Sequence, residues 1–370
     1  MCSLAIIFAS LVAYLQAWSY NTEHDIDRLR VVCLAFFLMT CLCHLFIEYI
    51  RKRCIYSLYE KMSLIVFVLF TGFFSIYIEK LYLFIPLIFG YVFKNLDISY
   101  ILKRLLIIYT SLYLLTLLLY FTNVLNGAWG FYHINVAASY IVGILAVCFM
   151  LIFFQSRREL SIKIYSLVCV ISSLFTGSVA GIIVSILLVV PILFELKFKV
   201  LNPILVYGFV FLPLIITFLI LLIYQYNIFG LGENLNSLLS SRPYIWNETI
   251  KSFDIGLFPH EDTLVFADIS GNAYTMPIDS IYISIPYSCG LIYSVLVFSS
   301  IVYFVHLILK YKDICGEDNN FLIYIVIVML LYGVVEIHAI EYQVMPVMYI
   351  VFYFIFNTKY LYVNKRTYKI

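Results

Sequence analysis

Arg242 is the residue whose setting most favours chemistry on a charged substrate. It lies in residues 240–246 (SSRPYIW), at the predicted start of a helix in the longest polar segment. An arginine binds phosphate oxygens through two parallel hydrogen bonds and keeps its charge at any physiological pH. Arg242 could therefore clamp a lipid-linked diphosphate. The alternative is a surface salt bridge to Glu248 or another neighbour.

Asp279 and His260 are the candidates for a general base in the same segment. A sugar hydroxyl becomes a good nucleophile when a carboxylate or an imidazole takes its proton. His260 is followed by Glu261 and Asp262. Three adjacent side chains do not favour a metal site, since adjacent positions seldom point at one ion. The alternative for each of these residues is an ordinary solvated charge.

Glu336, His338 and Glu341 form another group of ionisable residues, between the last two apolar segments. Ionisable side chains at membrane depth are costly and often functional. At the end of a helix the same side chains can reach water. The group therefore has two interpretations, a functional site or a solvated turn.

A cluster of rings precedes one of the central apolar segments, with Trp129, Phe131, Tyr132 and His133. These side chains could stack on the faces of sugars. The aromatic belt that membrane proteins carry at their interfaces explains them more simply.

The composition indicates the element that must position these residues, the membrane-spanning helix. The chain has 370 residues, of which 64% are hydrophobic and 12% charged. Its mean hydropathy is +1.02. Soluble domains carry about 25% charged residues, so this chain lacks the polar surface that a globule in water needs. The apolar runs do not alternate with polar residues, which excludes a β-barrel and predicts an all-α polytopic membrane protein.

The apolar runs predict about twelve transmembrane helices, since about 20 residues cross a bilayer. The run 162–194 is too long for one span, and Gly177 and Ser178 at its middle suit a tight turn. The predicted spans lie near residues 3–19, 31–50, 62–78, 81–93, 105–122, 132–154, 162–176, 179–194, 203–224, 284–309, 321–336 and 343–358.

The basic residues favour this topology with both termini inside. Cytoplasmic loops are enriched in lysine and arginine. Of the 23 basic residues, all but five fall in inside segments or at their flanks. A single span over 162–194 would reverse every later segment and remove this agreement. The five outside are Arg28, Arg30, Lys80, Arg242 and Lys251.

This topology divides the chain into three parts. Residues 1–224 hold the first nine helices, 225–283 form one large outer loop, and 284–370 hold the last three helices and a cytoplasmic tail. The loop contains aromatic residues, prolines and spaced charges, which predict an ordered segment over the membrane face. The nine cysteines are odd in number and lie outside this loop, which argues against a disulfide framework.

Three stretches together resemble the Wzy-type O-antigen and polysaccharide polymerases. The first is 173–181 (SLFTGSVAG), between two spans. The second runs through Arg242 and Trp246 at the start of the outer loop. The third is 278–282 (IDSIY), which leads into 290–292 (GLI). The resemblance covers the second half of the chain and extends to the layout of many spans with one large, late outer loop.

The resemblance implies inverting glycosyl transfer at the periplasmic face of the bacterial inner membrane. A growing glycan would leave undecaprenyl diphosphate and join a hydroxyl of the next lipid-linked repeat unit. Arg242 and Lys251 would bind the diphosphate, and Asp279 or His260 would act as the base. Tyr282, in the third stretch, is a further candidate. No metal, nucleotide or nucleic acid is implied, and a chain-length regulator is left open as a partner.

The chain departs from the family pattern at two positions. Many members carry arginine after Thr-Gly-Ser, where this chain has Val179. If that arginine helps to hold a diphosphate, another outer-side base must do so here. The third stretch has Ser280 where asparagine is common.

Two alternative functions remain beside a purely structural membrane protein, which would leave the long loop unexplained. An O-antigen ligase shares the layout and the lipid carrier, but it typically has a loop histidine shortly before the next span, where this chain has Asp279. A lipid-linked oligosaccharide flippase or other transporter would favour short loops, symmetric halves and ionisable residues at mid-membrane depth. Here the charges lie mostly at the ends of spans.

Overall fold

The structure is a computed structural model that describes most of the chain. The described residues are 1–18, 26–50, 68, 72, 83–155, 160–196, 198, 202–258, 265–267, 273–275, 278–311, 320–340 and 346–357. Their regular structure is helical apart from one short β-hairpin, so the predicted helical class is confirmed.

The α-helices in the described ranges form a bundle of apolar segments and two short polar helices. In chain order they are α1 (Cys2–Ala17), α2 (Ile26–Ile50), α3 (Phe84–Val92), α4 (Ile98–Phe121), α5 (Ile134–Gln155), α6 (Leu160–Thr176), α7 (Val179–Phe194), α8 (Pro203–Gln225), α9 (Gly232–Leu238), α10 (Arg242–Ser252), α11 (Ile281–Ser284), α12 (Gly290–Lys310), α13 (Asn320–Tyr332) and α14 (Val347–Phe356). A π-helical turn, Ile285–Cys289, joins α11 to α12.

Five helical segments in the described ranges are long and apolar enough to cross a membrane, namely α2, α4, α5, α8 and the continuous stretch Ile281–Lys310. Five others, α1, α6, α7, α13 and α14, are apolar but have only 10 to 17 residues. The predicted span 81–93 contains the nine residues of α3. Nine residues rise about 14 Å, roughly half of the hydrocarbon core. Of the predicted span 62–78 only Val68 and Gly72 are described, and the count of twelve is not confirmed.

The burial of the helices fits a membrane environment. Nearly all of α5 is buried, whereas less than a third of α2, α4 and α8 is buried. These outer helices expose large apolar side chains such as Val31, Leu118 and Ile204. Apolar surface of this extent is rarely left in water. The arrangement is the one expected of a membrane-embedded protein, with α5 central and the outer helices against lipid.

One end of the bundle carries the long polar loop and is called the loop face. At this face the backbone N–H of Tyr132 donates to the carbonyl of Ala17, which joins the end of α1 to the segment before α5. Gly177, between α6 and α7, lies beside Ile134 at the start of α5. The ends of α1 and α6 therefore meet the start of α5 at one face.

The other end of the bundle collects the opposite helix ends. Lys163 near the start of α6 forms an ion pair with Glu195 at the end of α7. The Asn320 side chain donates to the carbonyl of Phe198 over 3.1 Å and joins the start of α13 to the segment after α7. Tyr353 near the end of α14 donates to the carbonyl of Leu96, before α4, over 2.8 Å. From α4 onwards, successive long helices therefore alternate in direction.

The predicted break within 162–194 is confirmed. Helix α6 ends at Thr176, and Ser178 caps α7 by accepting the N–H of Gly181 over 3.4 Å. Gly177 between them has φ +73°, a conformation that glycine adopts without strain. A Cβ at Gly181 would lie 2.6 Å from the Cβ of Ala138, so a glycine at this position lets α7 approach α5.

The long loop is fastened to the start of α12. The N–H groups of Leu291 and Ile292 donate to the carbonyls of Gly256 (2.9 Å) and Leu257 (3.3 Å). Gly290 has φ +82°, and a Cβ there would lie 2.6 Å from the backbone of Phe258. Further along the loop, β1 (Val265–Ala267) and β2 (Ala273–Thr275) pair antiparallel, with Phe266 opposite Tyr274.

We expect Gly90→Val to destabilise the bundle. A Cβ at Gly90 of α3 would lie 2.6 Å from the backbone of Phe352 in α14, which no side-chain rotation relieves. Overpacking of this kind costs about 1–3 kcal/mol. The apparent melting temperature in detergent should fall for Gly90→Val. It should change little for Gly208→Val, since Gly208 has open space around its Cβ position. Equal melting temperatures for the two variants would contradict the packing assigned to α3 and α14.

Candidate functional site

An ion pair between Arg242 and Asp279 lies at the loop face. The Nη2 atom of Arg242 is 3.0 Å from Oδ2 of Asp279, and the two side chains are only 15% and 22% exposed. A pair with so little water around it interacts more strongly than a surface pair. The polar residues that the sequence singled out in the second and third stretches therefore meet in space.

Arg242 is positioned by a tight turn between α9 and α10. Ser240 and Ser241 adopt positive φ angles of 54° and 63°, a left-handed conformation that costs a non-glycine residue about 1–2 kcal/mol. Both the backbone N–H (3.2 Å) and Nη1 (3.3 Å) of Arg242 donate to the carbonyl of Leu239. Pro243 lies in the first turn of the helix, where its missing N–H costs nothing. The strained turn fixes the direction of the guanidinium.

Asp279 is positioned by the end of α13. Two residues after it, the N–H of Ile281 donates to the carbonyl of Gly333 over 2.9 Å. A Cβ at Gly333 would lie 2.4 Å from Cδ1 of Ile281, so glycine permits this approach. The hydroxyl of Tyr282 donates to the carbonyl of Leu330 over 3.1 Å. Tyr282 therefore fastens α11 to α13 in a structural role.

A second acid–base pair follows α13 in the same region. Glu336 is 1% exposed, and its Oε1 atom is 3.6 Å from Nε2 of His338. His338 lies in a short 3-10 helix, Ile337–Ile340, that packs against α5, α11 and α13. The turn between the last predicted spans is thus buried at these residues, and the interpretation as a solvated turn is wrong for Glu336.

His133 belongs to the same group, although the sequence analysis considered it only for sugar stacking. It precedes α5, and its Nδ1 accepts the N–H of Asn135 over 3.2 Å. Its charge and that of His338 both act on Asp279. The sequence signal for His133 was its position as an ionisable residue just before an apolar helix. We call Arg242, Asp279, Glu336, His338 and His133 the ion-pair cluster.

The electrostatics of Asp279 reflect its burial. Desolvation raises the pKa of the Asp279 carboxyl above its ordinary value, because the charged form loses water. The neighbouring charges of Arg242, His338 and His133 oppose this shift without cancelling it. A raised pKa makes the ionised carboxylate a stronger base, so Asp279 is suited to accept a proton.

The site also offers unused hydrogen-bond donors. Among the described residues, neither Nε of Arg242 nor Nε1 of Trp246 has a hydrogen-bond partner, although both atoms are buried. Trp246 lies one turn after Arg242 on the same face of α10. Buried donors without partners are rare and costly, so they favour a site for an oxygen-rich ligand.

The other sequence candidates lie elsewhere. Lys251 is nine residues after Arg242 on α10, about 13 Å of helical rise, and pairs with Glu248 at 3.2 Å. His260 and Glu341 lie outside the described residues. Within the described ranges no group of three or more His, Cys, Asp and Glu side chains could hold a metal ion.

Comparisons with known proteins do not assign this chain to a family. No protein-family model matches the chain, and neither the curated proteins nor the solved structures include a significant match. The function must be argued from the residues of the ion-pair cluster.

We predict energetic coupling between Arg242 and Asp279 in a double-mutant cycle. Arg242→Ala or Asp279→Ala alone leaves one poorly solvated charge without its partner and should cost about 1–3 kcal/mol of the free energy of unfolding. The double variant should lose less than the sum of the two. Unfolding in mixed micelles measures these changes. A parallel cycle on the exposed pair Lys251 and Glu248 should give less than about 1 kcal/mol of coupling. Additive losses at Arg242 and Asp279 would show that they do not interact.

Proposed function

We propose that this protein is a polysaccharide polymerase that joins oligosaccharide repeat units carried on undecaprenyl diphosphate. The observation that carries the proposal is the ion pair of Arg242 and Asp279, 3.0 Å apart and poorly hydrated. It combines a cation for a diphosphate leaving group with a carboxylate base. These two residues come from the second and third stretches of the resemblance to the Wzy-type polymerases.

In the proposed reaction Asp279 removes the proton from a hydroxyl of the acceptor repeat unit. The hydroxyl oxygen forms a bond to the anomeric carbon of the donor glycan. The bond from that carbon to the diphosphate oxygen breaks, and its electron pair leaves with the diphosphate. Attack opposite the leaving group inverts the anomeric configuration. Arg242 binds the diphosphate oxygens, with its buried Nε as the donor that the pair leaves open.

The ion pair couples the two halves of this reaction. While Asp279 is ionised, it offsets most of the positive charge of Arg242. When Asp279 takes the acceptor proton, it becomes neutral, and the whole charge of Arg242 acts on the leaving diphosphate. Negative charge develops on the diphosphate at the same stage. The base and the cation therefore support each other without any movement of the backbone.

Such a reaction needs the loop face on the outer side of the membrane. The loop face is assigned to the periplasm and the opposite face to the cytoplasm of a bacterial inner membrane, with about twelve spans and both termini inside. Basic residues at the opposite face support this orientation. They are Lys94, Lys103 and Arg104 near the start of α4, Lys163 in α6 and Lys310 at the end of α12.

An O-antigen ligase is the second candidate, and one observation favours it. Ligases of this layout are expected to use a loop histidine, and His133 and His338 both lie near Asp279. The same chemistry would then transfer the finished glycan to a lipid acceptor. The two functions differ in the surface glycan that remains when the protein is absent.

We predict that deletion of the gene leaves lipopolysaccharide core with a single repeat unit and removes the ladder of longer chains. Expression of Arg242→Ala or Asp279→Asn should not restore the ladder, since loss of a positioned base alone lowers rates by about 10²–10⁴. Gel electrophoresis of surface lipopolysaccharide measures this outcome, with immunoblots to confirm insertion of each variant.

Matched controls use the same substitutions away from the site. Arg104→Ala, at the opposite face, and Asp254→Asn, on an exposed part of the loop, should restore the full ladder. Core without any repeat unit in the deletion strain would favour the ligase or a flippase. An unchanged ladder in the deletion strain would refute the polymerase.

We also predict that activity is lost on acidification at a pH above the ordinary pKa of an aspartate. The base must be ionised, and burial raises the pKa of Asp279. Initial rates with purified protein and lipid-linked repeat units should therefore fall as the pH drops through that raised pKa. An unperturbed aspartate would keep its activity down to about pH 4. A rate that stays constant to that pH would exclude Asp279 as the base.

A further inference from the structure

Glu336 is the most deeply buried charged residue of the ion-pair cluster, and the proposed reaction assigns it no role. Its side chain is 2% exposed, and that of its partner His338 is 12% exposed. A carboxylate at such depth is costly unless a positive charge compensates it. At 3.6 Å the imidazole of His338 is placed to do so, and the carboxylate in turn favours the protonated imidazole.

The charge balance of the cluster depends on His338. Arg242 contributes one positive charge, and Asp279 and Glu336 contribute two negative charges. With neutral histidines the cluster carries a net charge of minus one, which repels a diphosphate. A proton on His338 brings the cluster to neutrality. Transfer of the acceptor proton to Asp279 then gives it a net positive charge as the diphosphate leaves.

Titratable groups on the elements around the 3-10 helix of His338 are linked through Asp279 and Tyr332. The charges of Arg242, His338 and His133 act on Asp279 before α11, and those of Glu336, Arg242 and Asp279 act on Tyr332 at the end of α13. The Tyr332 hydroxyl lies 2.7 Å from the Ser139 hydroxyl, so it is already hydrogen-bonded. Tyr282 is bonded to the carbonyl of Leu330.

We propose that His338, held in its protonated form by Glu336, is a second cation of the diphosphate site beside Arg242. Glu336 is then a positioning residue that acts through His338. The inference rests on the proposed function, because it takes the diphosphate of the lipid carrier as the ligand. It adds that binding of this diphosphate requires a histidine proton and weakens as the pH rises.

The test uses inorganic pyrophosphate as the probe, with the full-length protein purified in detergent. Binding is measured by calorimetry from pH 6 to pH 8.5. We expect His338→Gln to weaken binding about tenfold at the acid end, the effect of one unit charge a few ångströms from the ligand. His338→Arg, whose charge does not titrate, should bind at pH 8.5 more tightly than the wild type.

Glu336→Gln gives the sharper result, since it neutralises the carboxylate 3.6 Å from His338 and leaves the imidazole in place. The pH at which His338 loses its proton is read from the difference in pyrophosphate affinity between the wild type and His338→Arg. The titration of pyrophosphate itself affects both proteins equally, so it cancels in this difference. Glu336→Gln should move that pH downwards. His306→Gln is the matched control, since His306 lies in α12 sixteen residues from Gly290 and is bonded to Tyr207.

The outcomes separate this inference from the proposed function. Pyrophosphate binding by His338→Gln that equals the wild type at every pH would overturn the role of His338. An unchanged pH dependence in Glu336→Gln, with a melting temperature that shows a folded protein, would overturn the role of Glu336. Either result leaves the polymerase in place if Arg242→Ala still removes the ladder. A ladder that persists in Arg242→Ala would remove Arg242 from the mechanism, and an unchanged ladder in the deletion strain would refute the polymerase itself, whatever His338 does.

Discussion

The cost of placing charge in hydrocarbon determines where this protein can carry out chemistry. Apolar side chains fill the bundle, and α5 runs through its centre almost wholly buried. Ionisable side chains are therefore confined mainly to helix ends. At the loop face, the segments that flank α5, α10, α11 and α13 bring five such residues together. The ion-pair cluster forms because each of its members lies at the end of an α-helix or in the segment beside one.

Burial at a helix end gives these residues properties that neither water nor the membrane core would provide. In water Arg242 and Asp279 would be a weak, screened pair. In the middle of the bilayer the charges would be too costly to keep. At the loop face their side chains are mostly but not wholly enclosed. Asp279 therefore keeps a raised pKa beside a guanidinium, a combination that a general base near a cation requires.

The features of the fold that depend on composition and turn chemistry could be predicted from the sequence. The helical class followed from the apolar runs, and the break at Gly177 and Ser178 from the residues that suit a turn. Helix lengths were less predictable. Helix α3 has nine residues where a span was expected, and its Gly90 packs against the backbone of α14. Apolar residues inside a bundle and at its surface look alike in a sequence.

The site was predicted only in part, and for a related reason. Arg242 and Asp279 were proposed from their types and motifs, but their contact spans 37 residues of chain and depends on tertiary packing. Lys251 had the same charge as Arg242, yet it lies at the far end of α10. His133 was overlooked because its relation to Asp279 depends on the tertiary packing of the segment before α5. Tyr282 was a candidate because it lies in the third stretch of the resemblance. Its hydroxyl instead donates to a backbone carbonyl of α13.

The three stretches that carry the resemblance have different physical roles here. The first is a packing element, in which Gly181 lets α7 approach α5 at Ala138. The second and third provide the two partners of the ion pair. Since Val179 is exposed and uncharged, the first stretch adds no cation to the loop face. In the proposed reaction a diphosphate carries more negative charge than Arg242 alone balances while Asp279 is ionised. The proposed protonation of His338 beside Glu336 would add positive charge at this face.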